Sequence, residues 1–284
     1  MNIVEVYRKF PTPNDCLKYL ESIRWHDKPK CPYCQSLSVS SMPKQQRYHC
    51  NNCNTSFSVT TRTIFHKTHI DLQKWFLAIS LVLNAKKGMS ARQLGRDLEV
   101  NRNTAWFMGM RIRKAMFDNR ELLQGIVEID DTYVGGKPRK GSGEIRKRGR
   151  GTPKQPVIGM VERNGNIKAQ PMNELTYKKI SRFVRGNINM KEAVLISDQF
   201  RAYSPFGNIM PHEVIDHSFE YAHGDIHTNN IESFWALLKR GIVGQYHKVS
   251  KRHLGKYIVE FCYRHNNRKV ENVFELTLAK AVGV

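Results

Sequence analysis

The amino-acid sequence predicts an α/β domain with a mixed sheet, preceded by a small cysteine-rich module and a helical region. Three observations support this architecture. Two C-x2-C pairs lie near the N terminus, helical periodicity covers the next part of the chain, and strand-like segments alternate with helical ones from residue 125 onward. A chain of 284 residues has room for two or three such domains.

The chain is strongly basic. It has 46 Lys and Arg against 25 Asp and Glu, which gives a formal net charge of +21. A charge of this size repels itself unless a polyanion binds, and the aromatic content of 10% is too high for a disordered basic tail. Nucleic acid is therefore the first partner that we expect, and a merely basic soluble protein of the ribosomal type is the alternative.

The sequence contains neither a membrane span nor a secretion signal. No apolar run reaches the roughly 18 residues of a transmembrane helix, and the first residues, MNIVEVYRKF, lack the apolar core of a signal peptide. We therefore expect a cytoplasmic protein with no membrane partner. In a reducing compartment its six cysteines are metal ligands or buried thiols rather than disulfides.

Four of the cysteines have the spacing of a zinc site. Cys31 and Cys34 form one C-x2-C pair, Cys50 and Cys53 form the other, and 15 residues separate the pairs. Four thiolates close a tetrahedral shell around Zn²⁺ and leave no position for a substrate, so the predicted zinc is structural. Short strand-like segments around the pairs indicate a zinc ribbon.

A pair of short helices follows a buried helix predicted at residues 71–84. Ser90 is a suitable N-cap for the first, at 91–98, and the second covers 104–116. This arrangement is typical of a helix-turn-helix that places its second helix in a DNA groove, with an ordinary helical hairpin as the alternative. We expect three basic residues of the second helix to contact DNA: Arg111, Arg113 and Lys114.

The segment GIVEIDDTYVGG, at residues 125–136, has the composition of a buried central strand. It nevertheless carries Glu128, Asp130 and Asp131, and buried carboxylates are costly unless a cation compensates them. A bound metal is the simplest compensation. Asp130 and Asp131 point to opposite faces of a strand, so only one of them can face the metal, and spacing alone leaves the choice open.

A run of basic residues and glycines follows this strand, at residues 137–154. Its position directly after the acidic strand predicts a loop that orders against DNA phosphates, and a solvated charged loop is the alternative. The residues expected to contact DNA here are Arg139, Lys140, Arg146, Lys147, Arg148 and Arg150.

The remaining pattern completes a mixed sheet flanked by helices. A hairpin at 156–172 turns through Asn-Gly, a helix at 174–184 follows, and an apolar strand ends at Asp198. After a further short strand, a helix begins near Asn229 with Glu232 in its first turn and Trp235 on its apolar face. This order is consistent with an RNase H-like domain, a five-stranded fold in which the first and fourth strands are neighbours. Asp130, Asp198 and Glu232 would then lie together.

Three motifs resemble the DDE-class transposases of bacterial insertion sequences. They are DDTYVGGK at 130–137, ISDQFRAY at 196–203, and NNIESFWALLKRGIVGQYH at 229–247. The chain is most similar to the branch of that class with a zinc ribbon and a helix-turn-helix before the catalytic domain, and residues 112–116 also resemble that branch. The resemblance covers nearly the whole chain.

The resemblance implies that Asp130, Asp198 and Glu232 are the catalytic acids and that they hold two Mg²⁺ or Mn²⁺ ions. It also implies double-stranded DNA partners, both transposon ends and target DNA, and a homo-oligomer on the DNA. The family pattern favours Asp130 over Asp131. Three basic residues after Glu232 are expected to meet the DNA backbone: Lys239, Arg240 and Lys248.

The sequence therefore predicts a zinc ribbon with an N-terminal helix at 1–65, a helix-turn-helix region at 66–120 and an RNase H-like catalytic domain at 121–284. The predicted function is a transposase that binds terminal inverted repeats and catalyses metal-dependent strand cleavage and strand transfer. Two alternatives stay open. One is a structure-selective nuclease on the same fold, and the other is a zinc-ribbon DNA-binding regulator without catalysis.

Overall fold

A computed structural model describes residues 1–26, 28–117, 121–136, 151–215 and 227–283. The chain divides into two compact units. The first consists of Met1–Met116 together with Val270–Val284, and the second of Phe117–Lys269.

Two capped helices begin the first unit. They are α1, Ile3–Lys9, and α2, Pro13–Trp25. Each starts with a capping box, formed by Asn2 with Glu5 for α1 and by Thr12 with Asp15 for α2. These reciprocal bonds satisfy N–H groups that a helix start otherwise leaves without partners.

The zinc-ribbon prediction is confirmed by an antiparallel sheet around the cysteines. Its strands lie in the order β1-β2-β3. Cys50 ends the middle strand and pairs with Val39 of one neighbour and Thr55 of the other. The three strands are β1, Val39–Met42; β2, Arg47–Cys50; and β3, Thr55–Phe57.

The three predicted helices after the ribbon are present. The Ser90 side chain accepts a hydrogen bond from Gln93 N at 3.2 Å, as an N-cap does. The last helix starts two residues earlier than expected, because Asn101 caps it by accepting from Asn103 N at 2.8 Å. The helices are α3, Leu72–Asn84; α4, Ala91–Asp97; and α5, Arg102–Ala115.

The second unit is built on a mixed sheet. The order β6-β5-β4-β7-β8 confirms the predicted five strands within the described residues, and β4 and β7 are parallel neighbours. The hairpin of β5 and β6 and the pairing of β4 with β5 are antiparallel. The strands are β4, Leu123–Val134; β5, Gln155–Glu162; β6, Ile167–Pro171; β7, Ile188–Asp198; and β8, His212–Ile215.

Helices cover both faces of this sheet. One face packs Val127, Ile129 and Leu195 against Ile180 and Phe183 of helix α6. The other face packs residues of β5 and β6 against two later helices. The three helices are α6, Tyr177–Arg185; α7, Asn229–Gly241; and α8, Lys251–Asn266.

The C-terminal helix α9, Val273–Val282, belongs to the first unit. Phe274 packs edge-on against Phe76 with ring centroids 5.9 Å apart, and Lys9 forms an ion pair with Glu275. The predicted domain from 121 to 284 therefore differs from the structure at its end, because this helix buries its apolar face in the N-terminal unit. The rest of the predicted division stays a prediction.

Within the described ranges, every helix falls short of the length and apolarity that crossing a membrane requires.

We predict that a methyl group at Gly159 destabilises the second unit. A Cβ there would lie 2.6 and 2.7 Å from the Cη2 and Cζ2 atoms of Trp235, which are buried ring atoms with little room to move. Gly159→Ala should lower the free energy of unfolding by about 1–3 kcal/mol, measured by chemical denaturation. Gly136→Ala is the control, because a Cβ at Gly136 meets nothing within 4 Å. Equal stability of the two variants would contradict the predicted packing.

Candidate active site

The alternation of strand β4 separates Asp130 from Asp131. Asp130 Oδ2 accepts a hydrogen bond from Trp235 Nε1 of α7 at 3.0 Å. Asp131 Oδ1 lies 3.4 Å from the Tyr203 hydroxyl, which donates to it from the opposite face of the sheet. Asp130 therefore shares the face of α7, and Asp131 does not.

Asp198 ends strand β7 beside Asp130. In the parallel pairing of the two strands, Glu128 is opposite Ile196. The same offset places Asp198 level with Asp130 and on the same face, because side chains alternate along both strands. Phe200 N donates to Asp198 Oδ1 at 3.1 Å, which fixes the carboxylate in a local turn.

Glu232 lies in the first turn of helix α7 and is exposed. The buried Thr228 hydroxyl donates to Glu232 Oε1 at 2.9 Å. The apolar stripe predicted for this helix is also present, since Ile231, Phe234 and Leu238 are buried. The helix thus presents Glu232 toward solvent while its other side packs on the sheet.

The charges of neighbouring acids act on Asp130. The pKa of Asp130 is raised to about 7, first by burial and then by the charges of three acidic neighbours. Such a group favours a nearby cation, which would offset the cost of its ionised form. The neighbours that raise this pKa are Asp131, Asp198 and Glu232.

Trp235 has a role that the sequence pattern did not reveal. Its position on the apolar stripe predicted a core residue, and its side chain is indeed only 3% exposed. Its indole N–H, however, points at Asp130, and its ring lies over Gly159, the residue opposite Asp130 in the sheet. A buried indole needs an acceptor, and this requirement was the available signal.

The four cysteines of the ribbon fit a zinc ion. Their sulfur atoms all lie within 4.8 Å of one another, with 3.7 Å between Cys31 and Cys53 and 3.5 Å between Cys34 and Cys50. A tetrahedral site with Zn–S bonds of about 2.3 Å places sulfurs about 3.8 Å apart. Among the described residues the three carboxylates do not form so tight a group.

The DNA contacts predicted for Arg111 and Arg113 stay predictions, and the surroundings of both side chains favour a packing role. The Arg111 guanidinium donates to the carbonyls of Ile64 and His66 at 2.7 and 2.8 Å and lies 4.2 Å from the Phe107 ring centroid. Arg113 is only 4% exposed. Arg113 is therefore buried in the first unit, and Arg111 is half-buried with its charged group bonded to backbone carbonyls. The helix periodicity had not distinguished them from surface residues.

The other predicted DNA-binding residues differ in their surroundings. Lys114, Lys239 and Lys248 are exposed. Arg240 is exposed as well, and its Nε donates to Ala236 O of its own helix. Six further predicted contacts lie outside the described residues: Arg139, Lys140, Arg146, Lys147, Arg148 and Arg150.

Comparisons with known proteins match both units. The model of the ISXO2-like transposase domain matches residues 122–266, and that of the transposase zinc-ribbon domain matches residues 11–56. A protein of Halobacterium salinarum, described as an uncharacterized protein in transposable element ISH50, is 30% identical over 275 residues, which cover 90% of this chain and 92% of that protein.

Two similar solved structures are a Mos1 transposase paired-end complex with the left transposon end and a pre-cleavage Mos1 transpososome. The TM-scores are 0.30 and 0.28, each at 12% identity, with 72% of this chain and 78% of the other chain covered.

We predict that the ribbon holds one zinc ion per chain. Metal analysis should find zinc in the purified wild type and none in Cys50→Ser, because three thiolates bind zinc more weakly than four. Cys262→Ser is the matched control, since Cys262 belongs to the second unit and is not one of the four ribbon cysteines. Zinc retained at the wild-type level in Cys50→Ser would contradict the assigned ligand set.

Proposed function

The chain belongs to the ISXO2-like transposase family, and on this basis we propose that it catalyses metal-dependent DNA strand cleavage and strand transfer at the ends of its own mobile element. The observation that carries the proposal is the position of Asp130. It lies level with Asp198 on the adjacent parallel strand and faces the helix that presents Glu232.

The proposed catalytic metals are Mg²⁺ or Mn²⁺, which prefer hard oxygen ligands such as these carboxylates. Asp130, Asp198 and Glu232 would hold two such ions, which would supply activation of the attacking oxygen and stabilisation of the leaving oxygen of the phosphodiester. The shared face of Asp130 and Asp198, and the raised pKa of Asp130, support this assignment.

Each of the three acids is oriented by a hydrogen-bond donor from the protein. Asp130 accepts from the Trp235 indole, Asp198 from a backbone N–H of the following turn, and Glu232 from the Thr228 hydroxyl. These donors fix the oxygens before substrate arrives, so less reorganisation is needed when charge develops on the phosphorus centre. Asp131 has no part in the proposed site, because it faces Tyr203.

Double-stranded DNA is the proposed partner, including the element's terminal repeats and the target. The net charge of +21 favours binding to phosphates. We further propose that the helical pair α4 and α5 takes part in DNA binding and that the protein acts as a homo-oligomer in the cytoplasm, since two DNA ends must be brought together.

The first test is a strand-transfer assay on DNA that carries the element's own ends, with Mg²⁺ or Mn²⁺. Asp130→Asn, Asp198→Asn and Glu232→Gln should each reduce joined products by roughly a hundredfold or more, because each removes a charged metal ligand. Asp131→Asn is the matched control and should keep near wild-type joining, since an amide oxygen still accepts from Tyr203.

Three other results would argue against the proposal. If Asp131→Asn lost joining and Asp130→Asn kept it, Asp131 would be the catalytic acid in place of Asp130. Cleavage without joining in the wild type would indicate a nuclease. Binding without cleavage or joining would indicate a regulator.

A second test separates DNA contact from internal packing on helix α5. Lys114→Gln should weaken duplex binding and reduce the slope of log affinity against log salt by about one, with unchanged Tm. Arg111→Gln removes the same charge three residues earlier. It should instead lower stability by about 1–3 kcal/mol, because two carbonyls lose their charged donor, and leave the salt slope unchanged. The opposite pattern would show that Arg111 is the DNA contact.

A further inference from the structure

Glu128 is a fully buried acid that the proposed catalytic step does not use. It lies in strand β4, two residues before Asp130 and on the same face, and its exposed fraction is 0%. A carboxylate in such a position is costly unless several donors satisfy it.

Helix α7 supplies most of these donors. Glu128 Oε2 accepts from the backbone N–H of Asn230 at 2.9 Å and of Ile231 at 3.1 Å, and Oε1 accepts from Asn230 Nδ2 at 2.7 Å. Asn230 and Ile231 are the second and third residues of the helix. An N-cap side chain ordinarily bonds the N–H groups at these positions.

The N-cap residue of α7 makes no such bond itself. Thr228 occupies this position without a side-chain hydrogen bond to the helix backbone, and its hydroxyl donates to the Glu232 carboxylate. A strand residue more than 100 positions earlier therefore caps the helix, and its negative charge is favourable at the positive end of the helix dipole.

Arg163 completes the link and balances the charge. Its Nε donates to Glu128 Oε1 at 3.0 Å, and its Nη2 donates to the carbonyl of His227 at 3.1 Å. His227 Nδ1 lies 3.3 Å from the same carboxylate oxygen, outside hydrogen-bonding geometry. The segment that enters α7 is thus held through the guanidinium as well as through the helix N–H groups.

We propose that Glu128 is a positioning residue, which fixes the first turn of α7 on strand β4 and thereby sets the place of Glu232 relative to Asp130. This inference rests on the proposed function of the acids. Glu128 is separated from Asp130 by about 7 Å along the strand. Glu232 directly follows Ile231, whose N–H the Glu128 carboxylate binds. The Glu128 side chain therefore connects the strand that carries Asp130 to the helical turn that carries Glu232.

The test compares Glu128→Gln with Val127→Ala. The glutamine has one acceptor oxygen in place of two, so it cannot bind both helix N–H groups and the guanidinium as the carboxylate does. Val127 is the adjacent strand residue, equally buried, on the opposite face. Its truncation destabilises the same strand without touching α7, which makes it a matched control for loss of stability.

Three quantities are measured for each protein: Tm, the duplex-DNA Kd and the Mn²⁺ affinity from a titration followed by electron paramagnetic resonance. Glu128→Gln should weaken Mn²⁺ binding by about 10–100-fold with unchanged DNA Kd, the usual effect of losing a group that orients metal ligands. Strand transfer should recover when Mn²⁺ is raised. Val127→Ala should lower Tm with wild-type Mn²⁺ affinity.

Equal Mn²⁺ affinity in the two variants would overturn the positioning role and leave Glu128 as a stability residue. If Glu128→Gln does not fold, Asn230→Ala replaces it, because Asn230 is exposed and its truncation removes one donor to Glu128. A several-fold loss of Mn²⁺ affinity supports the proposal, and an unchanged affinity overturns it. If the wild type binds Mn²⁺ but joins no DNA, the proposed function fails while this comparison stays decisive.

Discussion

The compensation of negative charge in strand β4 is the constraint on which the second unit depends. Glu128 and Asp130 share one face of a central strand, where water solvates them poorly. Glu128 is satisfied by helix N–H groups and by Arg163. Asp130 receives an indole N–H and keeps a raised pKa. Donors within the protein satisfy the Glu128 carboxylate, whereas a bound cation would compensate the charge of Asp130.

This difference accounts for the different roles that we propose for two acids on one strand. A carboxylate with four donors around it holds structure and has little capacity left for a metal. A carboxylate with one neutral donor and acidic neighbours is suited to bind cations. The close approach of Trp235 depends in turn on Gly159, because any side chain there would occupy the position of the indole ring.

The sequence predicted most of the fold, because strand alternation, helix caps and C-x2-C spacing are local patterns. Ser90 as a cap is an example, whereas the expectation that β4 and β7 are neighbours came from the RNase H-like architecture. Roles that depend on distant partners were not predictable in this way. Arg111 meets carbonyls 47 and 45 residues away, and Glu128 meets α7 across 102 and 103 residues. No periodicity within a helix or strand contains that information.

Basic residues and acids of this chain differ in what their sequence positions indicate. A solvated lysine and a buried arginine give identical sequence patterns, so charge alone did not reveal the backbone contacts of Arg111 or the burial of Arg113. Acids in an apolar strand are more informative, since burial without compensation is too costly to persist. Their presence requires partners, and the partners of Glu128 and Asp130 lie on the face that carries α7 or at its entrance. That requirement places the start of the helix against the strand, and with it Glu232 near Asp130.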